Sequence, residues 1–153
     1  MVDLVHWLQA QLDEDERLTR AAVEESEGRG LDGAWRYHDQ HVETVYSHTV
    51  VALGSENRMS PGVGRHIAEH DPVRVLLELN AKRQILDEYN KTVGRLEEIA
   101  ALLSRLRDKD QDPYLTEVEW ASVIHRRDTL DGVMRLLALP YADRPGYRQE
   151  WRP

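Results

Sequence analysis

The chain has 153 residues, of which 41% are apolar and 31% charged, and it contains no cysteine. This composition is typical of a single globular domain and not of a disordered chain. The lack of cysteine excludes disulfides, thiolate zinc sites, iron–sulfur clusters and a cysteine nucleophile. No apolar run reaches the roughly 18 residues that cross a bilayer, and the start MVDLVHWLQAQLDEDE is acidic where a signal peptide would be basic. We therefore expect a cytoplasmic protein with no membrane partner.

The charge is unevenly distributed along the chain. The net charge is −8, and residues 1–32 hold nine acids against three arginines. There is no basic stripe that could neutralise phosphates, so the sequence disfavours nucleic-acid binding. The acidic end could bind a basic site on a partner protein, although a solvated helix face is the simpler interpretation.

The first part of the chain predicts one helix followed by a small antiparallel sheet. Apolar residues return to one face over residues 3–25, and the glycines of SEGRGLDG then end the helix. Within residues 34–53, the runs AWRYH, VETVY and TVVAL are rich in β-branched and aromatic residues and are separated by short polar turns. This pattern predicts a β-meander. Residues 54–64 are predicted to form a loop.

The rest of the chain is predominantly helical. Pro72 opens the strongest helical pattern, and Asp112 with Pro113 marks the start of the last helix. The final segment, LPYADRPGYRQEWRP, is too irregular for a long helix. The predicted elements are a short helix over 64–70, a long helix over 72–107, a helix over 113–139 and an irregular tail over 140–153. Three aromatic residues are expected to anchor the tail on the surface: Tyr141, Tyr147 and Trp151.

The long helix carries an apolar seam. Its apolar residues fall on the a and d positions of one heptad frame, and g positions widen the stripe, which favours packing in a bundle over a strict two-stranded coil. The last helix has its own predicted buried face, formed by Trp120, Val123, Ile124, Leu130, Met134 and Leu137.

The length of the long helix predicts self-association. A helix over 72–107 would be about 54 Å long, whereas a compact domain of this size is about 38 Å across. Either the helix breaks near Gly94, or its overhang packs against a second chain. We expect a homodimer whose interface is formed by Leu79, Leu86, Tyr89, Val93, Leu96, Ile99, Ala100, Leu103 and Leu106.

The stretch HIAEHDP places His66, Glu69 and His70 in the H-x-x-E-H order of the inverted zinc-protease signature. In such proteases the two histidines bind zinc and the glutamate activates water. Pro72 argues against this interpretation, because its ring would collide with a continuing helix and the short helix must end near His70. Asp71 would then cap the next helix. The negative end of the helix dipole also favours protonated histidines, whereas a metal needs the neutral form.

A metal site at His66 and His70 lacks an evident third ligand. Three downstream residues are available, but no spacing singles one out: His125, Glu117 and Glu119. We therefore expect no cofactor and no catalytic residue. The alternative is zinc or another divalent metal at His66 and His70, with Glu69 as the catalytic candidate.

Three more histidines lie in the predicted meander, at His38, His41 and His48. Residues three or seven apart in a strand face opposite sides of the sheet, so these histidines form a ligand set only if the turns bend them together. The sequence shows no Glu-x-x-His pair of a di-iron bundle, no G-K-[ST] phosphate loop and no G-x-S-x-G nucleophile motif.

Three blocks of the sequence resemble a known family. They are DLVHWLQAQLDEDERLTRAA at the start, HIAEHDPVRVLLELNAKRQIL in the centre and RLLALPYADRPGYRQEWRP at the end. Together they resemble a domain of unknown function found in small uncharacterised proteins of Streptomyces, other actinobacteria and their phages, a family with no assigned activity. Ala34 and Glu69 depart from the family pattern, which has proline and arginine there, and segment 87–112 is longer. Arginine in place of Glu69 disfavours a protease further.

The expected fold is α+β: a mainly helical three-helix bundle in a single domain over 1–153, with a small antiparallel β-meander inserted after the first helix. The expected function is that of a non-catalytic accessory or protein-interaction module that forms homodimers. One alternative is a histidine-based metal-binding protein or metal-dependent hydrolase. The other is an acidic phage-type protein that binds a basic site on a host protein.

Overall fold

The described part of the chain contains four α-helices and one three-stranded sheet. The computed structural model describes residues 2–27 and 33–153. The helices are α1 (Val2–Glu27), α2 (Pro61–Glu69), α3 (Pro72–Asp108) and α4 (Tyr114–Ala138), and the strands are β1 (Trp35–His38), β2 (His41–Thr44) and β3 (Val50–Leu53). The sheet is antiparallel, has the order β1-β2-β3 and follows the first helix, which confirms the predicted α+β class. No helix among these residues combines the length and hydropathy that a membrane-spanning segment requires.

The chain divides into two compact units. The terminal unit consists of Met1–Gln11 and Lys82–Pro153, and the central unit consists of Leu12–Ala81. Both α1 and α3 contribute residues to each unit. The single domain predicted over 1–153 stays a prediction.

α1 buries one face along its length. Leu4 and Leu8 are fully buried in the terminal unit, and Leu12 is fully buried in the central unit. Their spacing of four places them on the same side of the helix. The helix is longer than the predicted 3–25 by a residue or two at each end, as expected for helix boundaries. Much of the glycine-rich segment predicted to end it, residues 28–32, lies outside the described residues.

The β1–β2 hairpin turns through two residues. Asp39 and Gln40 both have positive φ, 43° and 68°. A type I′ turn requires positive φ at both central residues, and its twist matches that of the flanking strands. The turn makes His38 and His41 a directly opposed pair, and the rest of the register follows from it.

The sheet packs against α2 at a close approach. A Cβ on Gly64 of α2 would lie 2.0 Å from Cδ2 of Tyr37, so only glycine fits there. The Tyr37 hydroxyl donates a hydrogen bond to the Met59 carbonyl at 3.0 Å, and Val42 of β2 is fully buried. Because a three-stranded sheet this small is marginal alone, α2 supplies the cover it needs.

The loop before α2 is shorter than predicted. α2 begins at Pro61 instead of residue 64. Proline is favourable at the first helical position because its missing N–H would be unsatisfied there anyway. The Gly64 N–H donates to the Ser60 carbonyl at 3.0 Å, which closes the first turn of α2.

Asp71 joins the start of α3 to the start of β1. Its Oδ1 accepts a hydrogen bond from the Arg74 backbone N–H at 2.7 Å, which is the predicted N-cap, and Pro72 is the first residue of the helix. Its Oδ2 accepts a second bond from the Trp35 backbone N–H at 3.2 Å. One carboxylate therefore accepts a hydrogen bond from the first turn of α3 and another from the first residue of β1.

α3 is one continuous helix of 37 residues, about 55 Å long at 1.5 Å per residue. It passes through Gly94 without a break, so the break offered as one explanation of its length is absent. Six of the nine predicted interface residues are buried within the single chain: Leu79, Leu86, Tyr89, Leu96, Ile99 and Leu103.

α3 and α4 pack antiparallel in the terminal unit. Three ion pairs join them, with positions that rise along α3 as they fall along α4: Glu88–Arg126, Arg95–Glu119 and Arg107–Glu117. Of the residues predicted to form the buried face of α4, Met134 is fully buried. The other five are only half-buried: Trp120, Val123, Ile124, Leu130 and Leu137. The middle of α4 therefore keeps accessible apolar surface.

The tail packs on the start of α1 within the terminal unit. Trp7 Nε1 donates to the Pro145 carbonyl at 3.0 Å, and its ring lies 5.6 Å from the Tyr147 ring and 5.3 Å from the Trp151 ring. Of the three expected anchors, Tyr141 and Trp151 are buried and Tyr147 is half-buried. These edge-to-face and tilted ring pairs stabilise the tail beyond the area that they bury.

Candidate functional site

The two histidines of the H-x-x-E-H stretch lie at the exposed C-terminal end of α2. Their ring centroids are 4.4 Å apart. The Nδ1 of His70 lies 2.8 Å from the His66 carbonyl oxygen, and a hydrogen bond there requires the proton on Nδ1, which leaves Nε2 as the free nitrogen of His70. No third His, Asp or Glu of the described residues completes a ligand set with them within 4.8 Å. A metal at His66 and His70 stays a prediction.

Glu69 is exposed and forms an ion pair. Its Oε2 accepts a hydrogen bond from Arg74 NH1 at 2.9 Å, and Arg74 also pairs with Glu78 at 3.0 Å. The carboxylate thus faces a guanidinium at the surface. Its role as a catalytic base stays a prediction.

The β1–β2 hairpin brings three potential metal ligands together. One nitrogen each from His38 and His41 and one carboxylate oxygen of Glu43 all lie within 4.8 Å of one another. His41 Nε2 is 3.2 Å from Glu43 Oε2, and His38 Nδ1 is 3.6 Å from Glu43 Oε1. Among the residues that the structure describes, this is the one group of three such side chains so close together. We call it the hairpin cluster.

The strand register explains why these side chains share one face. Arg36 pairs with Glu43, and His38 pairs with His41 across the two-residue turn. Directly opposed residues, and residues two apart on one strand, point to the same side of a sheet. Arg36, His38, His41 and Glu43 therefore all lie on the face opposite Tyr37 and α2.

Arg36 and Glu43 form the core of this face. Arg36 donates from both Nε and NH2 to the same oxygen, Oε1 of Glu43, at 2.8 and 2.7 Å. The Glu43 side chain is only 7% exposed, so a charged partner is what allows it to stay ionised there.

The pKa of Glu43 reflects this network. Hydrogen bonds from Arg36 are the largest cause and lower the pKa from 4.5 to about 2, against the effect of burial, which raises it. A hydrogen bond from His41 lowers the pKa further. Glu43 is therefore an anion throughout the physiological range.

His48 lies at the border of the hairpin cluster. Its Nδ1 is 2.8 Å from Arg36 NH2 and 3.3 Å from Glu43 Oε1. Arginine can only donate, so the shorter contact requires an unprotonated Nδ1 on His48. In that tautomer His48 accepts from Arg36 and makes no hydrogen bond to the carboxylate.

The sequence contains the spacing that produces the hairpin cluster, but the rule that successive strand residues face opposite sides argues against it. His38 and His41 are three apart and would face opposite sides of a single strand. Here the two residues between them form the turn, so the histidines lie on neighbouring strands and face the same side. Glu43, two residues after His41, then falls on that side as well.

An open apolar groove runs between α3 and α4 in the terminal unit. Two adjoining cavities of about 600 and 320 Å³ share Ala100 and Trp120 in their walls. Ile124, Val93 and Leu103 add apolar lining. Charged residues of both signs complete the lining: Glu97, Arg107, Asp108, Glu117 and Arg127. We call this the α3–α4 groove.

The predicted interface residues divide into two groups. Six are buried in the chain itself, as described above, and are already packed. The other three keep accessible surface: Ala100 is exposed, and Val93 and Leu106 are half-buried. Of these, Val93 and Ala100 line the α3–α4 groove. Dimerisation stays a prediction.

The fold and these sites define a small, mainly helical α+β protein with a histidine-bearing hairpin. The chain belongs to the family of unknown function DUF6221, whose model matches residues 1–153. No curated protein and no solved structure matches it. The actinobacterial and phage origin implied by the sequence resemblance stays a prediction.

Proposed function

We propose that the chain is a non-catalytic cytoplasmic protein-interaction module that pairs with a second copy of itself through the α3–α4 groove. The observation that carries this proposal is the groove itself, where two packed helices leave adjoining apolar cavities open along their length. Surface apolar patches of this kind mark protein–protein contacts when polar residues surround them.

The apolar lining of the groove has the composition of an interface. Trp120 is half-buried in the groove and offers a large ring that a second chain could cover. Tryptophan is among the residues that contribute most to binding energy at interfaces. Ile124 and Val93 lie beside it, and Ala100 gives a shallow floor that a helix of another copy could approach closely.

The charges of the groove favour self-pairing. One cavity carries Arg107 with Asp108 and Glu117, and the other carries Arg127 with Glu97. In a two-fold interface the same patch meets itself, so each residue must find its complement on that same patch. Because both signs occur at both ends, either alignment of two copies can bring an arginine against a carboxylate.

The oligomeric state of tag-free protein tests the proposal. Light scattering coupled to size exclusion should give a dimer at micromolar concentration. Ala100→Arg places a long charged side chain on the groove floor without disturbing α3, because arginine is a good helix former and residue 100 is exposed. We expect this variant to be monomeric.

Ala101→Arg is the matched control, since Ala101 is the next residue of α3, is also exposed and is not among the residues that line the groove. It should remain a dimer. A wild type that stays monomeric at the same concentration would overturn the proposal. So would a dimer that both arginine variants weaken to the same extent, because the association would then not depend on the groove.

A further inference from the structure

We propose that the hairpin cluster is a binding site for a divalent transition metal of the zinc type, with His38, His41 and Glu43 as its ligands. It is a different site from His66 and His70, which the sequence motif suggested, and it is independent of the α3–α4 groove. The inference rests on the ligand types, their spacing and the rigidity of the hairpin that holds them.

The spacing of the three side chains suits a tetrahedral ion. Bonds of about 2.0–2.1 Å at tetrahedral angles place neighbouring ligand atoms about 3.4 Å apart. The observed separations are 3.2 Å between His41 Nε2 and Glu43 Oε2, and 3.6 Å between His38 Nδ1 and the other oxygen, Oε1. One oxygen of Glu43 and one nitrogen of each histidine lie within 4.8 Å of one another. His38 is at the surface, so its imidazole can rotate towards an ion, whereas His41 is half-buried beside Glu43.

The chemical types of the three ligands indicate the class of metal ion that the hairpin cluster would bind. Two imidazoles and one carboxylate suit zinc and its neighbours, whereas calcium and magnesium prefer all-oxygen sites. Three protein ligands leave a fourth tetrahedral position for a water molecule. Because the side chains of His38 and His48 are 64% and 59% exposed, an ion can enter from solvent without any opening of the hairpin.

Arg36 would act as a hydrogen-bond partner that holds the metal ligand Glu43. It holds Glu43 Oε1 with two hydrogen bonds, which fixes the carboxylate and leaves the lone pairs of Oε2 directed towards His41. Metal-binding carboxylates are commonly held by such second hydrogen bonds. The type I′ turn fixes the backbone at both opposed histidines, so binding has to order only their side chains.

Calorimetric titration of chelator-treated, tag-free protein with Zn²⁺ alone tests the site. Wild type should bind one equivalent, and Co²⁺ in its place should give the intense visible absorption of a tetrahedral ion. His38→Asn and His41→Asn should each weaken Zn²⁺ binding by more than about 100-fold, beyond the usual effect of losing an outer-shell partner. Both side chains lie on the open face of the sheet, and circular dichroism checks that the variants fold.

The double variant His66→Asn/His70→Asn is the control, because it removes the other close histidine pair and leaves the hairpin intact. It should bind Zn²⁺ as tightly as wild type. Failure of wild type to take up Zn²⁺, or loss of binding in the control instead of the hairpin variants, would overturn the assignment. So would folded His38→Asn and His41→Asn proteins with wild-type affinity.

Discussion

Arg36 lies directly across the hairpin from Glu43 and donates two hydrogen bonds to a single carboxylate oxygen, at 2.8 and 2.7 Å. This pairing is the main reason that the pKa of Glu43 is held at about 2. A glutamate with a lowered pKa stabilises the fold fully above its unfolded value of 4.5, and the stabilisation is lost as the pH falls towards 2.

Arg36→Gln should therefore raise the pKa of Glu43 towards 4.5. The variant should also be less stable than wild type at neutral pH and should lose less further stability between pH 4.5 and 2, because the contribution of an ionised, paired Glu43 is already absent. Side-chain carboxyl NMR of chelator-treated protein would follow Glu43 directly. Arg74→Gln removes an exposed arginine that pairs with other glutamates and should leave the Glu43 titration unchanged.

The close approach of α2 to the sheet predicts opposite results for two glycines of the same helix. Gly64→Ala should destabilise the protein by about 1–3 kcal/mol, because the new methyl group overlaps the Tyr37 ring. Gly62→Ala should be neutral or slightly stabilising, since a Cβ there meets no atom within 4 Å. Urea unfolding of both variants gives the comparison, and equal losses would contradict the packing described.

Gly94 should be replaceable because α3 is continuous through it. A Cβ at this position meets nothing within 4 Å, so Gly94→Ala should stabilise the protein by about 1 kcal/mol through helix propensity alone. Gly146→Ala should do the reverse, because Gly146 has a φ of 86° and a Cβ there would lie 3.0 Å from Trp7 Nε1. Thermal unfolding measures both, and a destabilised Gly94→Ala would indicate that the glycine serves a break or a close contact.

Ionisation of Tyr89 should lower the free energy of unfolding at alkaline pH. Its pKa is raised from 10.0 first by burial and then by the charge of Asp131, whose Oδ1 accepts from the hydroxyl at 3.4 Å. A group whose pKa is higher in the folded than in the unfolded state contributes its full stabilisation below the unfolded pKa. That stabilisation is lost as the pH rises through the folded pKa. Tyr89→Phe should therefore lose less stability than wild type when the pH is raised from neutral to above about 10, the ordinary pKa of tyrosine.

Tyr114→Phe is the control for this effect, because Tyr114 is 65% exposed. Urea unfolding at the two pH values would give the free energies, and tyrosinate absorbance would report the ionisation itself. Identical alkaline losses in wild type and Tyr89→Phe would contradict the role assigned to the buried hydroxyl.

The elements of the fold followed from local rules in the sequence. Asp71 and Pro72 predicted the corner between α2 and α3 because capping and the fixed φ of proline act within a few residues. The three strands likewise came from β-branched runs separated by short turns. The burial of each helix face was harder to predict, because it depends on which surfaces meet. Trp120 and Ile124 have the periodicity of core residues, yet both keep exposed surface beside the α3–α4 groove.

The candidate sites likewise divide into features that local sequence patterns predict and features that depend on contacts between elements. The pair of His66 and His70 is visible in the sequence because a motif within one helix appears as a fixed spacing. The rule of alternating faces argues against a pairing of His38 and His41, because that rule does not account for the change of strand at residues 39 and 40. Only the register of the hairpin brings Glu43 beside them. A pairwise contact between strands is not a property of either strand alone.

The carboxylate of Asp71 has one more consequence. β1 is an outer strand of the sheet, and such strands offer unpaired N–H groups that can recruit a strand from another molecule. The N–H of Trp35, at the start of β1, already donates to Asp71. The side chain that caps α3 thus also occupies one of the N–H groups at which a foreign strand could pair with this edge.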